Sequence, residues 1–172
     1  MQHFINATRK AVEQSNWYAA LALALTMPDI CGRIENPSKD SRSQARFVDW
    51  YDRFLLKRYQ AIVGGAPHTF LCGSDCYALR CAFLHQGEFG IDGQTARQAL
   101  EHLHFIAPCQ GSFVHMNQTN NVLQLQVDKF CFDVCEAVEQ WLVSVVGNSD
   151  IQGRIAKLAS IGVSNGFDRT GT

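Results

Sequence analysis

Hydrophobic residues recur at helical spacing along the first part of the chain. One stripe, with apolar side chains at i, i+4, i+7 and i+8, consists of Trp17, Leu21, Ala24 and Leu25. This pattern predicts a helix over residues 6–27. Pro28 lacks the backbone N–H that a helix interior needs, so we expect it to end that helix or to begin a short second one over residues 28–31. The polar run that follows predicts a loop over residues 32–43.

A strongly amphipathic pattern predicts the next helix, over residues 43–62. Its apolar face consists of Phe47, Trp50, Tyr51, Phe54 and Leu55. The opposite side carries Arg42, Arg46, Asp49, Arg53 and Lys57. This basic stripe is either a surface that binds the phosphates of a nucleic acid or, as on most helices of soluble proteins, a solvated face. A break at residues 64–67, with two glycines and a proline, ends the element.

The segment 73–88 carries its own start and stop signals, and we expect a helix over residues 75–86. Ser74 can cap the N-terminus, Asp75 suits the positive end of the helix dipole, and Gly87 can adopt the left-handed conformation after the last turn. The helix has two apolar stripes, which are Cys76, Leu79 and Phe83 on one side and Tyr77, Cys81 and Leu84 on the other. It should therefore be buried on more than one side, and we expect a homodimer interface to include it.

After Gly87 the pattern changes from helical to mixed. Strict period-two alternation predicts a strand over residues 123–127, paired with 112–116 or 103–107 and reached through the Asn-rich turn 117–121. Helical spacing predicts a short helix over 95–102, a long one over 128–146 and an amphipathic one over 148–161. The sequence therefore predicts a mainly α fold with a small antiparallel β-hairpin insertion.

Length and composition favour one globular domain. The 172 residues are 47% hydrophobic and 18% charged, which suits an ordered domain over residues 1–163 with a polar tail over 164–172. The formal net charge of −1 means that a polyanion would need a local basic patch. The first six residues do not resemble a signal peptide, and the apolar run 17–27 is too short to cross a bilayer. Seven cysteines at irregular spacing favour free thiols in a reducing cytoplasm.

Arg80 and His85 form an R-x4-H arrangement inside the apolar helix predicted over residues 75–86. The run LRCAFLHQG at residues 79–87 resembles the motif of the HEPN superfamily over about fifteen residues. The resemblance implies a HEPN-like helical bundle. It also implies a protein that acts on RNA, as a metal-independent endoribonuclease without cofactors. In such dimers two motif copies meet across the interface. Cys81 stands where active members often carry a polar residue.

The two motif residues suit RNA cleavage for chemical reasons. Imidazole can take or give a proton near neutral pH, which would activate a 2′-hydroxyl for attack on the adjacent phosphorus. A guanidinium is a permanent planar donor for phosphoryl oxygens as negative charge builds. Five residues turn through about 140° on an ideal helix. We therefore expect Arg80 and His85 to meet one substrate only if the helix end unwinds or a second subunit contributes.

The alternative function is a non-catalytic HEPN-like module that dimerises or binds a protein partner. In that case Arg80 pairs with Asp75 or Glu88 and ties helices together, while His85 closes the helix. The two hypotheses differ in exposure: an enzyme needs His85 in an open cleft beside Arg80, whereas a module buries both in satisfied pairs. His102, His104, Cys109 and His115 fit no familiar zinc spacing, and Cys131 and Cys135 suit buried packing, so no metal is predicted.

Overall fold

The helices form a bundle around one central helix. A computed structural model describes residues 1–38 and 42–161. The α-helices in these residues are α1 Gln2–Glu13, α2 Trp17–Glu35, α3 Ser43–Phe54, α4 Gly73–Gln86, α5 Val127–Ser144 and α6 Ser149–Ile155. Helix α2 packs against α1, α3 and α5, and more lightly against α4 and α6. The mainly α architecture is as predicted.

The core of the bundle is one continuous apolar cluster with large aromatic side chains at its centre. The largest fully buried members are Trp50, Trp141, Tyr51, Tyr59, Phe47 and Phe130. Each buried side chain of this size contributes about 1.5–3 kcal/mol relative to an exposed one, so the bundle has ample apolar driving force. Among the described residues, no helix combines the length and the apolarity that crossing a membrane requires.

The prediction of a single helix over residues 6–27 is wrong. The chain turns at residues 14–16, where Ser15 has a φ of 54° and Asn16 caps α2 by accepting the N–H of Ala19 at 3.4 Å. The expectation that Pro28 ends this helix is also wrong, because α2 continues to Glu35. Pro28 is buried inside the bundle. The packing of α2 against several neighbours offsets the helix-breaking cost of about 3 kcal/mol.

The predicted helix over residues 43–62 is wrong beyond Phe54. A 3₁₀ turn at Leu56–Tyr59 follows, and then the strands β1 Gln60–Val63 and β2 Ala66–Thr69 form an antiparallel hairpin. Gly64 and Gly65 make its turn with φ values of 59° and 85°. Two successive positive φ angles suit a tight hairpin turn, so these glycines are the physical reason that the chain reverses here.

The second sheet is mixed rather than purely antiparallel. Its strands are β3 His102–Ile106, β4 Asn117–Thr119 and β5 Val122–Gln126, in the order β3-β5-β4. The predicted antiparallel hairpin is present as β4 and β5, but its first strand is not residues 112–116. The segment 103–107 largely corresponds to β3, which pairs in parallel with β5 on the edge opposite β4.

Smaller differences concern the ends of elements. The predicted strand over 123–127 is confirmed except that Val127 begins α5, and the long helix over 128–146 is confirmed as α5. The helix over 148–161 is shorter than predicted, as α6. The helix over 95–102 is wrong, since that stretch is irregular up to the start of β3. The predicted domain end at 163 and the tail 164–172 lie outside the described residues.

Candidate functional site

Helix α4 has the predicted end but a different start. Cys72, not Ser74, is the N-cap, and its Sγ accepts the N–H of Asp75 at 3.4 Å. Gly87 has a φ of 73°, and the N–H of Glu88 reaches the carbonyl of Ala82 at 3.3 Å. This left-handed ending closes the helix directly after the motif.

The two apolar stripes of α4 have different surroundings. Cys76 and Leu79 of the first stripe are fully buried in the core, and Phe83 is half-buried and stacks on Phe89 with ring centroids 5.4 Å apart. The second stripe, Tyr77, Cys81 and Leu84, is only half-buried. One side of α4 therefore belongs to the core, while the other remains partly accessible beside Arg80 and His85.

Arg80 and His85 contact each other within one chain. The Nη1 of Arg80 lies 3.2 Å from the Nε2 of His85, although α4 is unbroken through Gln86. The two side chains therefore reach each other without unwinding of the helix end. Five residues rise about 7.5 Å along a helix, and the long arginine side chain spans that rise despite the angular offset.

The ion-pair partner of Arg80 is Asp29, on α2. The Nη2 of Arg80 donates to Oδ2 of Asp29 at 3.0 Å, and the Oγ of Ser43 donates to Oδ1 at 2.9 Å. Three helices, α2, α3 and α4, thus meet in one polar contact. The side chains of Arg80 and Asp29 are 18% and 22% exposed, so the pair lies at the edge of the protein rather than in its core.

Asp75 and Glu88 are the acids that the sequence suggested as partners of Arg80. In the described structure neither is an ion-pair partner of Arg80. Asp75 is 2% exposed, and its carboxylate accepts the N–H groups of Gln98, Ala99 and Leu100. Asp75 lies in the first turn of α4, and these bonds attach the irregular segment over residues 98–100 to that helix. Glu88 is exposed after the turn at Gly87.

His85 is exposed, and its contact with Arg80 determines which ring nitrogen carries the proton when the imidazole is neutral. A guanidinium nitrogen can only donate, so Nε2 of a neutral His85 accepts and the ring proton is on Nδ1. The Nδ1–H is then free to donate to a ligand. Nε2 becomes free to accept a proton once another acceptor takes Nη1 of Arg80.

The basic stripe divides into two parts. Arg53 forms ion pairs with Glu35 and with Asp49, and it therefore belongs to a solvated, neutralised face. At the other end of α3, Arg46 lines a pocket of about 350 Å³ together with Arg33 and the Asp29 that holds Arg80. This pocket adjoins the motif contact.

A second charged cluster escaped the sequence analysis. The carboxylate of Asp133, on α5, lies within 3.8 Å of polar atoms of four side chains, and they are Lys129, Arg58, Tyr59 and His115. Asp133 and His115 are each 3% exposed. The signals that could have found it are Lys129 at i−4 and an acid on the apolar stripe of a helix.

Burial determines the proton affinities around this cluster. Burial lowers the pKa of His115, although the nearby Asp133 carboxylate opposes that shift. Burial, with Asp133 adding to it, raises the pKa of Tyr59 well above its usual range. Nδ1 of His115 accepts the N–H of Gln126 at 3.3 Å, so a neutral ring carries its proton on Nε2, facing Asp133.

The histidines and cysteines considered for zinc are not assembled into a site. His102 and His104 are exposed neighbours on β3, whereas His115 belongs to the Asp133 cluster. Cys135 is buried, and burial raises its pKa to about 11. Within residues 1–38 and 42–161, no three His, Cys, Asp or Glu side chains are placed to hold a metal ion.

The exposed imidazole and half-buried guanidinium of the motif are therefore the groups best placed to act on a ligand. They offer one proton-transfer group and one anion donor in contact, beside a pocket with two further arginines. Comparison of the chain with known protein-family models, with curated proteins and with solved structures finds no match.

Proposed function

We propose that this protein is a HEPN-like, RNA-acting protein, and that it is a metal-independent endoribonuclease using Arg80 and His85 in a homodimer. The observation that carries the proposal is the 3.2 Å contact between the Arg80 guanidinium and an exposed His85 at the end of α4. Proton transfer and stabilisation of developing negative charge are the two needs of RNA cleavage, and this pair supplies both.

The proposed reaction begins when a phosphate of the RNA takes the place of His85 on Nη1 of Arg80. Nε2 of His85 is then free to accept the proton of the 2′-hydroxyl. The 2′ oxygen bonds to phosphorus, the bond from phosphorus to the 5′ oxygen breaks, and the 5′ oxygen takes a proton. A 2′,3′-cyclic phosphate and a 5′-hydroxyl result. Arg80 remains paired with Asp29 through Nη2, which keeps the guanidinium oriented for the phosphoryl oxygens.

The proposed dimer uses the half-buried stripe of α4. Around the helix, the stripe of Tyr77, Cys81 and Leu84 lies between Arg80 and His85. If a second copy covers this stripe, the two motif contacts face each other across the interface. The partner subunit's His85 is then positioned to supply the proton that the leaving 5′ oxygen needs.

The second candidate function is a non-catalytic dimerisation or protein-interaction module. It is favoured by the ion pair of Arg80 with Asp29, because that contact ties α2 and α4 together and gives Arg80 a structural role that needs no substrate. Ser43 extends the same contact to α3. The exposure of His85 is what favours the enzyme over the module.

Cleavage of RNA in the presence of EDTA tests the proposal. We expect the wild type to cleave single-stranded RNA to products with cyclic phosphate ends, and His85→Ala to lose that activity with an unchanged melting temperature. Arg80→Ala should also be inactive. Glu88→Ala is the matched control, because Glu88 is exposed beside the motif without contacting it. Cleavage undiminished in His85→Ala would contradict the proposed catalytic role.

Light scattering tests the dimer separately. We expect a dimer at micromolar concentration, and we expect Leu84→Glu to give a monomer because it places a charge in the half-buried stripe. Dimers without cleavage of any RNA would support the module. A monomeric wild type would contradict both forms of the proposal.

A further inference from the structure

We infer that a cleft at the start of α4 binds a small organic cation with a primary ammonium group, and that Asp52 is the carboxylate that receives it. The cleft lies between α3, the β1–β2 hairpin and the first turn of α4, and its volume is about 390 Å³. Volumes of roughly 300–1,000 Å³ are typical of sites for small molecules. Asp75, which lines the cleft, and His85 are at opposite ends of α4, about 15 Å apart along its axis. The cleft is therefore separate from the motif contact.

Asp52 is a carboxylate without a counter-charge in the described part of the chain. No hydrogen bond or ion pair engages its side chain within residues 1–38 and 42–161, whereas the neighbouring Arg53 pairs with Glu35 and Asp49. Partial burial raises the pKa of Asp52, and the like charge of Asp49 adds to that shift. A cation bound beside Asp52 would reverse both effects, because an opposite charge favours the ionised carboxylate.

A glycine brings this carboxylate next to the first turn of α4. A β-carbon at Gly73 would lie 3.0 Å from Oδ1 of Asp52 and 3.2 Å from Cα of Val48. Glycine therefore lets α4 begin directly against α3. Because all three residues line the cleft, the carboxylate of Asp52 is part of its wall.

The charge of the cleft favours a cation. The described residues that line it include Asp52 and Asp75, and none of them is a lysine or an arginine. The carboxylate of Asp75 already accepts the N–H groups of residues 98–100, so that of Asp52 is the one left for a ligand. The positive end of a helix is equivalent to about half a charge, so the two carboxylates outweigh the dipole of α4.

The remaining lining suits an ammonium group on a carbon chain. Nε2 of His68 lies 3.0 Å from Oε1 of Gln118, and an amide oxygen only accepts, so a neutral His68 keeps Nδ1 as an acceptor. An ammonium has three N–H donors and no acceptor. Leu56 and Phe70 supply apolar wall for the carbon chain. A metal ion fits less well, because no three His, Cys, Asp or Glu side chains of the described structure are placed to hold one.

Titration of butylammonium chloride into the full-length protein, followed by proton–nitrogen correlation NMR, tests the inference. n-Butanol is the matched neutral compound, since it has the same carbon chain without the charge. The test variant is Asp52→Asn, which removes the charge and nearly preserves the shape. Asp150→Asn is the matched control, because Asp150 is exposed in the first turn of α6 and lies outside the cleft.

We expect saturable shifts of amide signals from the cleft, including those of Ser74 and Gln98, at millimolar butylammonium and not with n-butanol. Asp52→Asn should weaken binding about tenfold or more, as expected for the loss of a hydrogen bond to a charged group. Asp150→Asn should bind like the wild type. Asp52 is exposed enough for its variant to melt like the wild type. The inference is overturned if butylammonium gives no saturable shifts in the cleft, or if Asp52→Asn binds it as tightly as the wild type does.

A longer chain tests the apolar wall. Hexylammonium should bind more tightly than butylammonium, by up to about fourfold for each added methylene that the cleft covers. Equal affinity for the two amines would contradict the placement of the carbon chain against Leu56 and Phe70. Equal affinity for n-butanol and butylammonium would contradict the role of the charge.

Discussion

The Arg80 cluster, formed by Arg80, His85, Asp29 and Ser43, and the Asp133 cluster, formed by Asp133, Lys129, Arg58, Tyr59 and His115, contain similar chemical groups in different surroundings. In the first, Arg80 is 18% exposed and His85 is open to solvent. In the second, the carboxylate is 3% exposed and surrounded by donors. The contact between Arg80 and His85 is open to solvent on the side of His85, whereas reaching Asp133 would require displacing its neighbours. Accessibility, rather than residue type, separates the candidate site from the structural cluster.

The largest expected effect breaks the Asp133 cluster. Asp133→Ala should lower the free energy of unfolding by about 3 kcal/mol, because the buried hydroxyl of Tyr59 loses its acceptor and Lys129 loses its partner. Asp29→Ala should cost only about 1 kcal/mol, since solvent reaches Arg80 and Ser43. Urea unfolding followed by circular dichroism measures both. Equal losses would show that the two clusters do not differ as proposed.

The second prediction concerns what holds the Arg80 side of the molecule together. Gly32→Ala should lower the free energy of unfolding by about 2 kcal/mol, because the new β-carbon would meet backbone atoms of Arg46 and force α2 and α3 apart. Gly153→Ala on α6 is the control, since nothing lies within 4 Å of a β-carbon there. Chemical unfolding of the two variants gives the comparison. An unchanged stability for Gly32→Ala would show that the contact between α2 and α3 is not tight.

The sequence predicts best where the structural cause is local. The spacing of apolar residues predicted α5, the alternation of Leu123 and Leu125 predicted β5, and Gly87 ended α4 as expected. Each depends on side chains within a few positions of one another. The motif contact between Arg80 and His85 is of this local kind, although its geometry within one chain was not expected.

The features that the sequence did not predict depend on contacts between residues far apart in the chain. Asp29 and Arg80 are 51 positions apart, so the ion pair depends on how α2 packs against α4. Tyr59 and Asp133 are 74 positions apart, and their contact depends in the same way on the whole fold. Pro28 remains inside a helix because neighbouring helices stabilise it there. Tertiary packing decided all three.

The third prediction compares two arginine ion pairs of different exposure. Arg80→Ala should lower the free energy of unfolding by about 1–2 kcal/mol, because Asp29 keeps only Ser43 as a donor at a half-buried position. Arg9→Ala removes a pair with Glu139 whose side chains are 34% and 38% exposed, and it should cost less than about 1 kcal/mol. Thermal melts rank the two. A larger loss for Arg9→Ala would contradict a structural role for the Arg80 pair.

The smallest expected effect is a pH dependence that originates in the Asp133 cluster. Burial lowers the pKa of His115 in the folded protein below its unfolded value of about 6.5. The unfolded chain therefore binds more protons as the pH falls through that value, so stability that is present above about pH 6.5 is progressively lost below it. Protonation of Nδ1 would also remove the acceptor of the Gln126 N–H.

Urea unfolding from about pH 8 to pH 5 measures this loss of stability, and His115→Gln should show a shallower decline. Because the other histidines are common to both proteins, the difference between the two slopes isolates His115. Parallel pH profiles for the two proteins would show that burial does not lower the pKa of His115.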